Sequence, residues 1–278
     1  MASKLSPGLY VTATPIGNLG DITERARTIL AAADLVICED TRVTGRLLKH
    51  LGIATKLWAY HDHNAAEVRP KIVERIAAGD VLALVSDAGT PLISDPGYKL
   101  IRELRAADLP VFAVPGASAL TAALSVAGLP TDRVLFAGFL PAKQGQRRAL
   151  LEEFKDLRAT LVFFVRGSRL ADALDDLAAV LGERAASVCR ELTKLYEEVR
   201  HGTFAELRAA ETAETRGEFV LLVGPPAAQA MDDAALDDLL RDALKTDSPS
   251  QAATRIARET GLAKRKVYAR ALELSGRR

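Results

Sequence analysis

The sequence predicts an α/β chain made of two consecutive α/β units, the first on a mainly parallel sheet, followed by a small helical tail. Three observations carry this. Strand-like apolar runs and amphipathic segments alternate from Leu9 to Ala127, the order that builds a parallel sheet with helices on its faces. Val81-Leu-Ala-Leu-Val85 is apolar without interruption, as expected of a strand covered on both sides. A turn signal at Gly128-Leu-Pro-Thr-Asp132 and a second breaker at Gly224-Pro-Pro226 then divide the chain.

In order, strands are predicted at Leu9–Thr14, Leu35–Cys38, Lys56–Tyr60, Val81–Ser86 and Val111–Val114, with helices near Ile22–Ala33, Thr44–His50, Glu67–Ala78, Tyr98–Ala107 and Ser118–Ala127. Asp21 and Glu24 have capping-box spacing and are expected to open the first helix. Gly79-Asp80 stops the third helix just before the Val81 strand. Beyond Gly128 come a strand at Val134–Phe139, a helix near Gln146–Leu157, a strand at Thr160–Val165, a helix near Leu170–Leu181, and strands at Ser187–Arg190 and Glu218–Val223. The expected domains are 1–125, 126–227 and 228–278. In the tail, Leu236, Leu239, Leu240 and Leu244 share one helical face, and Ser248-Pro249 caps a further helix. Ala257, Gly261 and Val267 then fall at helix-turn-helix spacing: a small residue at the crossing, glycine in the turn, and a β-branched residue in the second helix's core.

With 278 residues, 49% of them apolar, the chain can bury a large core. Its 37 basic and 36 acidic residues give a net charge of +1, so bulk charge does not call for nucleic acid. The distribution says more: from Lys245 to Arg278 nine Lys/Arg face three Asp/Glu, a local +6 that leaves the rest near −5. A basic tail on a mildly acidic body points to an anionic partner at one end, or to a solvated surface helix. Lys264, Arg265, Lys266 and Arg270 lie where a recognition helix would carry them; the alternative is a hairpin packed on the body or a sister subunit. Cys38 and Cys189 are too few for a disulfide framework or a zinc cluster. With no signal peptide and no apolar run of membrane length, the expectation is a soluble cytoplasmic protein with no membrane partner.

Leu9-Tyr-Val-Thr-Ala-Thr-Pro-Ile-Gly-Asn-Leu-Gly-Asp-Ile-Thr23 reads as strand, loop and helix start, an arrangement that holds cofactors in α/β proteins. Pro15, Gly17 and Gly20 fall where G-x-G-x-x-G would place its glycines, and Glu39 and Asp40 stand about 20 residues on, where a ribose-binding acid would be. A proline cannot donate an N–H to a pyrophosphate, which disfavours a nicotinamide dehydrogenase. Leu84-Val-Ser-Asp-Ala-Gly-Thr-Pro-Leu-Ile-Ser-Asp-Pro-Gly97 and Val111-Phe-Ala-Val-Pro-Gly-Ala-Ser-Ala119 are two more strand–loop units. Together with the first loop and Cys38-Glu-Asp-Thr-Arg42, they closely resemble the tetrapyrrole-methylase superfamily of S-adenosylmethionine enzymes. Within it they resemble the branch that 2′-O-methylates a cytidine of 16S ribosomal RNA. The resemblance spans nearly the whole chain, and four loop motifs in this order and spacing are specific. It implies two α/β domains with the cofactor cleft between them and a helix-turn-helix-like tail. It also implies S-adenosylmethionine as cofactor, 16S rRNA or the 30S subunit as partner near the decoding centre, a homodimer, and no metal.

The loops after strands one, four and five should converge at the carboxyl ends of the sheet, where ligands bind in open α/β folds. By resemblance, Pro15, Asp87, Thr90, Ser118 and Ala119 sit at cofactor-contacting positions, and Leu192 and Gly217 of the second unit complete the slot. Gly89 allows close backbone approach. A sulfonium tolerates no nearby cation and is helped by carboxylates, which makes Asp87 the best-placed charged group; the alternative for Asp87 and Asp95 is turn capping. Glu39 and Asp40 are the candidate bases, with Arg42 and Arg46 as phosphate ligands; alternatively Asp40 caps the next helix and pairs with Arg42. His61 and His63 are candidates to line an acceptor cleft, and at i,i+2 with no further cluster they make a poor zinc set. Lys143, Arg147 and Arg148 suit phosphate contacts that position an RNA without reading its bases, or form a plain helix-start surface loop. One segment departs from the branch pattern. Phe163-Phe-Val-Arg-Gly-Ser-Arg169 stands where Phe-Tyr-Glu-Ser-Pro-His-Arg is common, so an acid and a histidine are missing. Two other functions compete: a methylase of a tetrapyrrole or other small acceptor on the same fold, and a ligand-sensing regulator that binds nucleic acid and turns over nothing.

Overall fold

The first sheet has five strands, β1 (Gly8–Thr12), β2 (Leu35–Cys38), β3 (Leu57–Ala59), β4 (Val81–Val85) and β5 (Val111–Val114), parallel throughout in the order β3-β2-β4-β1-β5. The computed structural model describes residues 5–61, 63–211, 217–227 and 233–276. Helices α1 (Glu24–Ala32), α2 (Thr41–Leu51), α3 (Ala65–Ala77) and α4 (Tyr98–Ala106) cover the sheet. Strand β4 sorts alternate residues between two cores, as the period of a strand requires. Val81, Ala83 and Val85 pack with Ile29, Leu30 and Leu48, while Leu82 and Leu84 pack with Ile72, Ile76, Leu100 and Leu104. Because β1 lies between β4 and β5, the loops that follow these three strands meet at the sheet's carboxyl edge.

Helix α1 begins later than the sequence suggested. Asp21 belongs to a short 3-10 turn capped by Asn18, and it is Thr23 that accepts the Ala26 N–H as N-cap. The inserted turn separates β1 from its helix, so this is not the tight strand-to-helix corner of a dinucleotide fold.

After β5 comes α5 (Ala119–Val126), then the second sheet: β6 (Val134–Phe139), β7 (Thr160–Arg166), β8 (Ala186–Arg190), β9 (Glu198–Gly202) and β10 (Glu218–Val223), in the order β6-β7-β10-β8-β9. Only β6 and β7 pair in parallel. One face carries α6 (Gln144–Glu153), α7 (Leu170–Leu181) and α8 (Phe204–Ala209), with Leu151, Leu174, Leu177 and Phe204 packed with Phe163 and Phe219. The opposite face packs with Ala123 and Ala127, at and just beyond α5, and with Ile16 from the first loop, against Val162, Cys189, Val220 and Leu222. Helix α5, expected in the first domain, therefore buries its inner side on the second sheet.

Helices α6 and α7 are tied by a buried charge. Arg147, 3% exposed, pairs with the fully buried Asp176 at 2.5 Å and also donates to the carbonyls of Pro141 and Ala142. Arg148 reaches the other Asp176 oxygen at 2.6 Å, and Gln144 donates to it at 3.1 Å. This corrects the sequence expectation: Arg147 is an internal counter-ion and cannot meet an RNA phosphate, and Arg148, though half-exposed, shares the same carboxylate.

The tail packs α9 (Asp233–Ala243), α10 (Pro249–Thr260) and α11 (Lys264–Leu274) around Leu236, Leu240, Ile256 and Val267. Leu239, expected on that face, is instead exposed. Ser248 and Gln251 form a complete capping box at the start of α10. Gly261 turns the chain at φ +72°, and the Arg158 guanidinium of the second unit lies over it where a Cβ would stand. The positive φ is what favours glycine here, since the Arg158 side chain could swing aside from a Cβ.

Burial works to raise the Asp176 carboxyl, but Arg148, Arg147 and Gln144 outweigh it and hold it below the usual carboxylate range. Replacing Asp176 by Ala leaves a buried guanidinium unpaired and should cost about 3–5 kcal/mol, measured by urea denaturation at pH 7. A depressed carboxylate contributes its stability above the unfolded pKa of about 3.9, so the gap between wild type and variant should close as pH falls below that value.

Candidate active site

A cleft of about 670 Å³ lies between the carboxyl edge of the first sheet and the second sheet. Its first wall is made of loops locked to one another. Thr14 and Gly89 exchange two backbone hydrogen bonds of 2.9 and 3.0 Å, joining the loops after β1 and β4. The Thr90 hydroxyl donates to the Ala117 carbonyl at 3.1 Å, joining the loops after β4 and β5. Gly89 sits at φ +80°, and a Cβ there would lie 3.2 Å from Ile16 Cγ2, so both its conformation and its surroundings favour glycine. Farther along the same loop Leu92 and Ser94 hold φ of 72° and 68°, a region non-glycine residues seldom adopt and one that collects at ligand sites.

The charge on this wall is negative. Asp87 Oδ1 accepts the Asp40 N–H at 3.2 Å, and burial pushes the Asp87 carboxyl upward. Asp95 is pushed up to about 6, first by burial and then by the charges of Glu39 and Asp87, with Ser86 opposing them through a hydrogen bond. The Ser86 hydroxyl has a single proton to share among Asp95 and the carbonyls of Ala88 and Gly89, at 3.2 and 3.4 Å. Opposite, Lys194 reaches the cleft but is neutralised by Glu218 at 2.9 Å and Glu191 at 3.3 Å. Its aliphatic stem lies against Gly17 of the first loop.

Seven of the residues expected to hold a cofactor line this cleft: Asp87, Gly89, Thr90, Ser118, Ala119, Leu192 and Gly217. Pro15 does not; it is buried behind the wall, and the adjacent Ile16 reaches the cavity instead. Glu39 and Asp40 do not line it either. Asp40 is the N-cap of α2: it accepts the Arg42 N–H at 2.8 Å and pairs with the Arg42 side chain at 2.7 Å. Those bonds hold its carboxyl down to about 2, which makes it a poor proton acceptor and leaves Arg42 already engaged. Glu39 stands close enough to raise Asp95 by its charge. Arg46 is exposed on α2, outside the cleft.

His61 and His63 meet edge-on at 5.9 Å, with the His61 N–H bound to Asn64, away from the cleft; Asp62 of the same motif lies outside the described residues. Among the described residues no group of three His, Cys, Asp or Glu is placed to hold a metal. Lys143 is exposed at the start of α6. In the tail Lys264 and Arg265 are exposed without an ion pair to a described residue, and Lys266 lies 3.7 Å from Asp233. Arg270 departs from expectation. It grips Asp237 of α9 at 2.6 and 2.7 Å and Glu273 at 2.6 Å, so it clamps the tail together rather than facing a ligand.

Asp-Pro-Gly reads as a turn as readily as a site, so the chemistry of Asp95 shows only in its packed surroundings. Phe139, Phe164 and Arg166, to which the sequence assigns no role, also line the cleft.

The family model described as Tetrapyrrole (Corrin/Porphyrin) Methylases matches residues 8–208. The chain belongs to the tetrapyrrole methylase family. It is therefore a methyltransferase, and the cleft between its two sheets is where that family membership and the geometry meet. A second model, the RsmI C-terminal HTH domain, matches residues 230–275 of this methylase. The chain is 55% identical to a protein of Erythrobacter litoralis, over 98% of this chain and 97% of the relative. It is 49% identical to one of Mesorhizobium japonicum, over 98% and 94%. Both relatives bear the name ribosomal RNA small subunit methyltransferase I. The crystal structure of uroporphyrin-III-C-methyltransferase from Thermus thermophilus shares the methylase fold at a TM-score of 0.56 and 21% identity, covering 78% of this chain and 94% of that one.

Because its folded pKa is raised, Asp95 favours folding most below the unfolded value of about 3.9, and that benefit is lost as pH rises through about 6. Asp95→Asn should therefore melt at a higher temperature than wild type at pH 8 and at a similar one near pH 4.5. A melting temperature raised equally at both pH values would contradict this account.

Proposed function

We propose that this methylase transfers a methyl group from S-adenosylmethionine to the ribose 2′-hydroxyl of a cytidine in 16S ribosomal RNA, near the decoding centre. The reading is carried by one chain joining an acid-walled methylase cleft to a helix-turn-helix that leaves Lys264 and Arg265 unpaired among the described residues. The names of the near-full-length relatives support the substrate. Acceptor nucleotide, homodimer and 30S subunit follow from the family branch the sequence resembles, and the cytoplasm follows from that substrate. Among the described residues no helix is long and apolar enough to cross a membrane.

The residues present suit this donor. Asp87 and Asp95 give their wall a negative charge that suits a sulfonium, and opposite it Lys194 is cancelled by Glu191 and Glu218, which leaves Arg166 as the cation of the second sheet's side. Ser118 and Ala119 bring the uncapped start of α5 to the wall, where N–H groups suit the donor's carboxylate. Gly89, Thr90, Leu192 and Gly217 shape the slot. When bound, S-adenosylmethionine supplies an electrophilic methyl. The protein's part is to align the ribose oxygen with it and to receive the hydroxyl proton as the oxygen–carbon bond forms and the carbon–sulfur bond breaks. Asp95, with its carboxyl raised to about 6, is better suited to take that proton than Asp40, which is held near 2.

The test is methyl incorporation from labelled S-adenosylmethionine into 30S subunits and naked 16S rRNA from cells lacking the enzyme, followed by digestion to nucleosides. Label on a cytidine ribose is expected. Asp95→Asn should lower kcat by about 10²–10⁴-fold, and the wild-type rate should rise with pH through about 6. Lys264→Ala with Arg265→Ala should weaken RNA binding and flatten its salt dependence. Label on neither RNA despite donor binding would favour a small acceptor instead.

A further inference from the structure

Beside the main cleft lies a smaller cavity of about 220 Å³ that shares Phe139, Phe164, Val165 and Arg166 with it and continues to Arg169. We propose that this annex is the seat of the acceptor nucleotide, with its base stacked on Phe139 and a flanking phosphate held by Arg166 and Arg169. The inference rests on the RNA-methylating reading above and deepens it.

Phe139, at the end of β6, is 56% exposed. It is fixed there nonetheless. Phe164 meets it edge-on at 5.4 Å, and Phe136 in turn meets Phe164 at 4.9 Å. The register of β6 shifts between Phe136 and Phe139, and Gly138 at φ +71° makes the kink that re-aims the ring. Ser94, on the strained loop of the first sheet, stands 3.3 Å from where a Gly138 Cβ would be, so the annex opens where the two units meet. A rigid, half-solvated aromatic ring at the mouth of a reaction cleft is a stacking platform, and every base has a face to offer it.

The guanidiniums supply the other half. Arg166 ends β7 and Arg169 precedes α7; both are exposed and neither pairs with a described acid. Their neighbour in the annex wall, Arg147, is neutralised by Asp176. Two unpaired guanidiniums beside an aromatic ring match a nucleotide's phosphate and base. The Phe163–Arg169 segment, which lacks the family branch's acid and histidine, thereby gains a use.

The test is steady-state methylation of 30S subunits, with RNA binding measured across a salt series. Phe139→Ala and Phe139→Leu should each lose roughly tenfold or more in kcat/KM for RNA, while Phe139→Tyr retains activity, because stacking and not apolar bulk is at stake. Arg169 lines only the annex, so Arg169→Ala should leave S-adenosylmethionine affinity by calorimetry unchanged while reducing the salt slope of RNA binding by about 1. Wild-type activity with Phe139→Leu, or an unaltered slope for Arg169→Ala, would overturn the subsite. Failure of the wild-type enzyme to label any ribose would instead overturn the RNA reading on which it rests.

Discussion

The site depends on one apolar contact. Ile16, from the loop after β1, joins Ala123 and Ala127 in lying on Val162, Val220 and Leu222 of the second sheet. This packing sets the loops of the first sheet against the second, where the Lys194 stem also meets Gly17 and Ser94 lies beside Gly138. Burial of this kind is strong but has no preferred direction, so something else must set the alignment. Here it is backbone: Thr14 with Gly89 and Thr90 with Ala117 fix three loops to one another before they meet the second sheet. The hydrophobic contact closes the cleft, and hydrogen bonds between loops decide its shape.

Charge then divides the basic residues into those that hold the fold and those left for a ligand. Arg147, Arg148 and Arg270 sit on stretches whose composition suggests nucleic acid, yet they are spent on Asp176 and Asp237. A guanidinium in a bidentate grip within a small core fixes how two helices meet, and it is no longer free to trade that carboxylate for a phosphate without exposing the acid. Lys264, Arg265, Arg166 and Arg169 carry no such commitment among the described residues. Proximity in sequence to a basic cluster therefore says little about contact with an anion; the partner's position decides.

The alternation that builds the first sheet was legible because its central strands β1, β2 and β4 are almost wholly buried and the helices between the strands are amphipathic. The second sheet was less so. Strand β9, Glu198-Val-Arg-His-Gly202, is an edge with only its neighbour β8 to pair with and little apolar content, and it reads as loop. The start of α1 was misplaced because Asp21 and Thr23 are both acceptable caps, and only the 3-10 turn at Leu19 chooses between them. The loop residues of the cleft were legible through the resemblance of the four loop motifs to the family; taken alone, the same loops read as turn caps. Asp95 and Phe139 were not, since what distinguishes them is a half-buried, acidic setting in one case and an exposed ring in the other, and both are tertiary quantities.

The cleft is polarised, and the polarity bears on what it acts on. Carboxylates of Asp87 and Asp95, backed by Glu39, stand on the first sheet's side; Arg166, with Arg169 beyond it, stands on the second. A cationic donor and an anionic acceptor would sort themselves across such a field. A small carboxylated acceptor would satisfy it as well as a nucleotide, so polarity alone does not choose between them. The tail does. The Arg158 side chain of the second unit lies against Gly261 of the helix-turn-helix. A substrate small enough to vanish into the cleft has no use for a basic helix. An RNA has such a use, because its phosphates can meet cations on the tail as well as beside the cleft, and contacts at two stations bind more tightly than either alone.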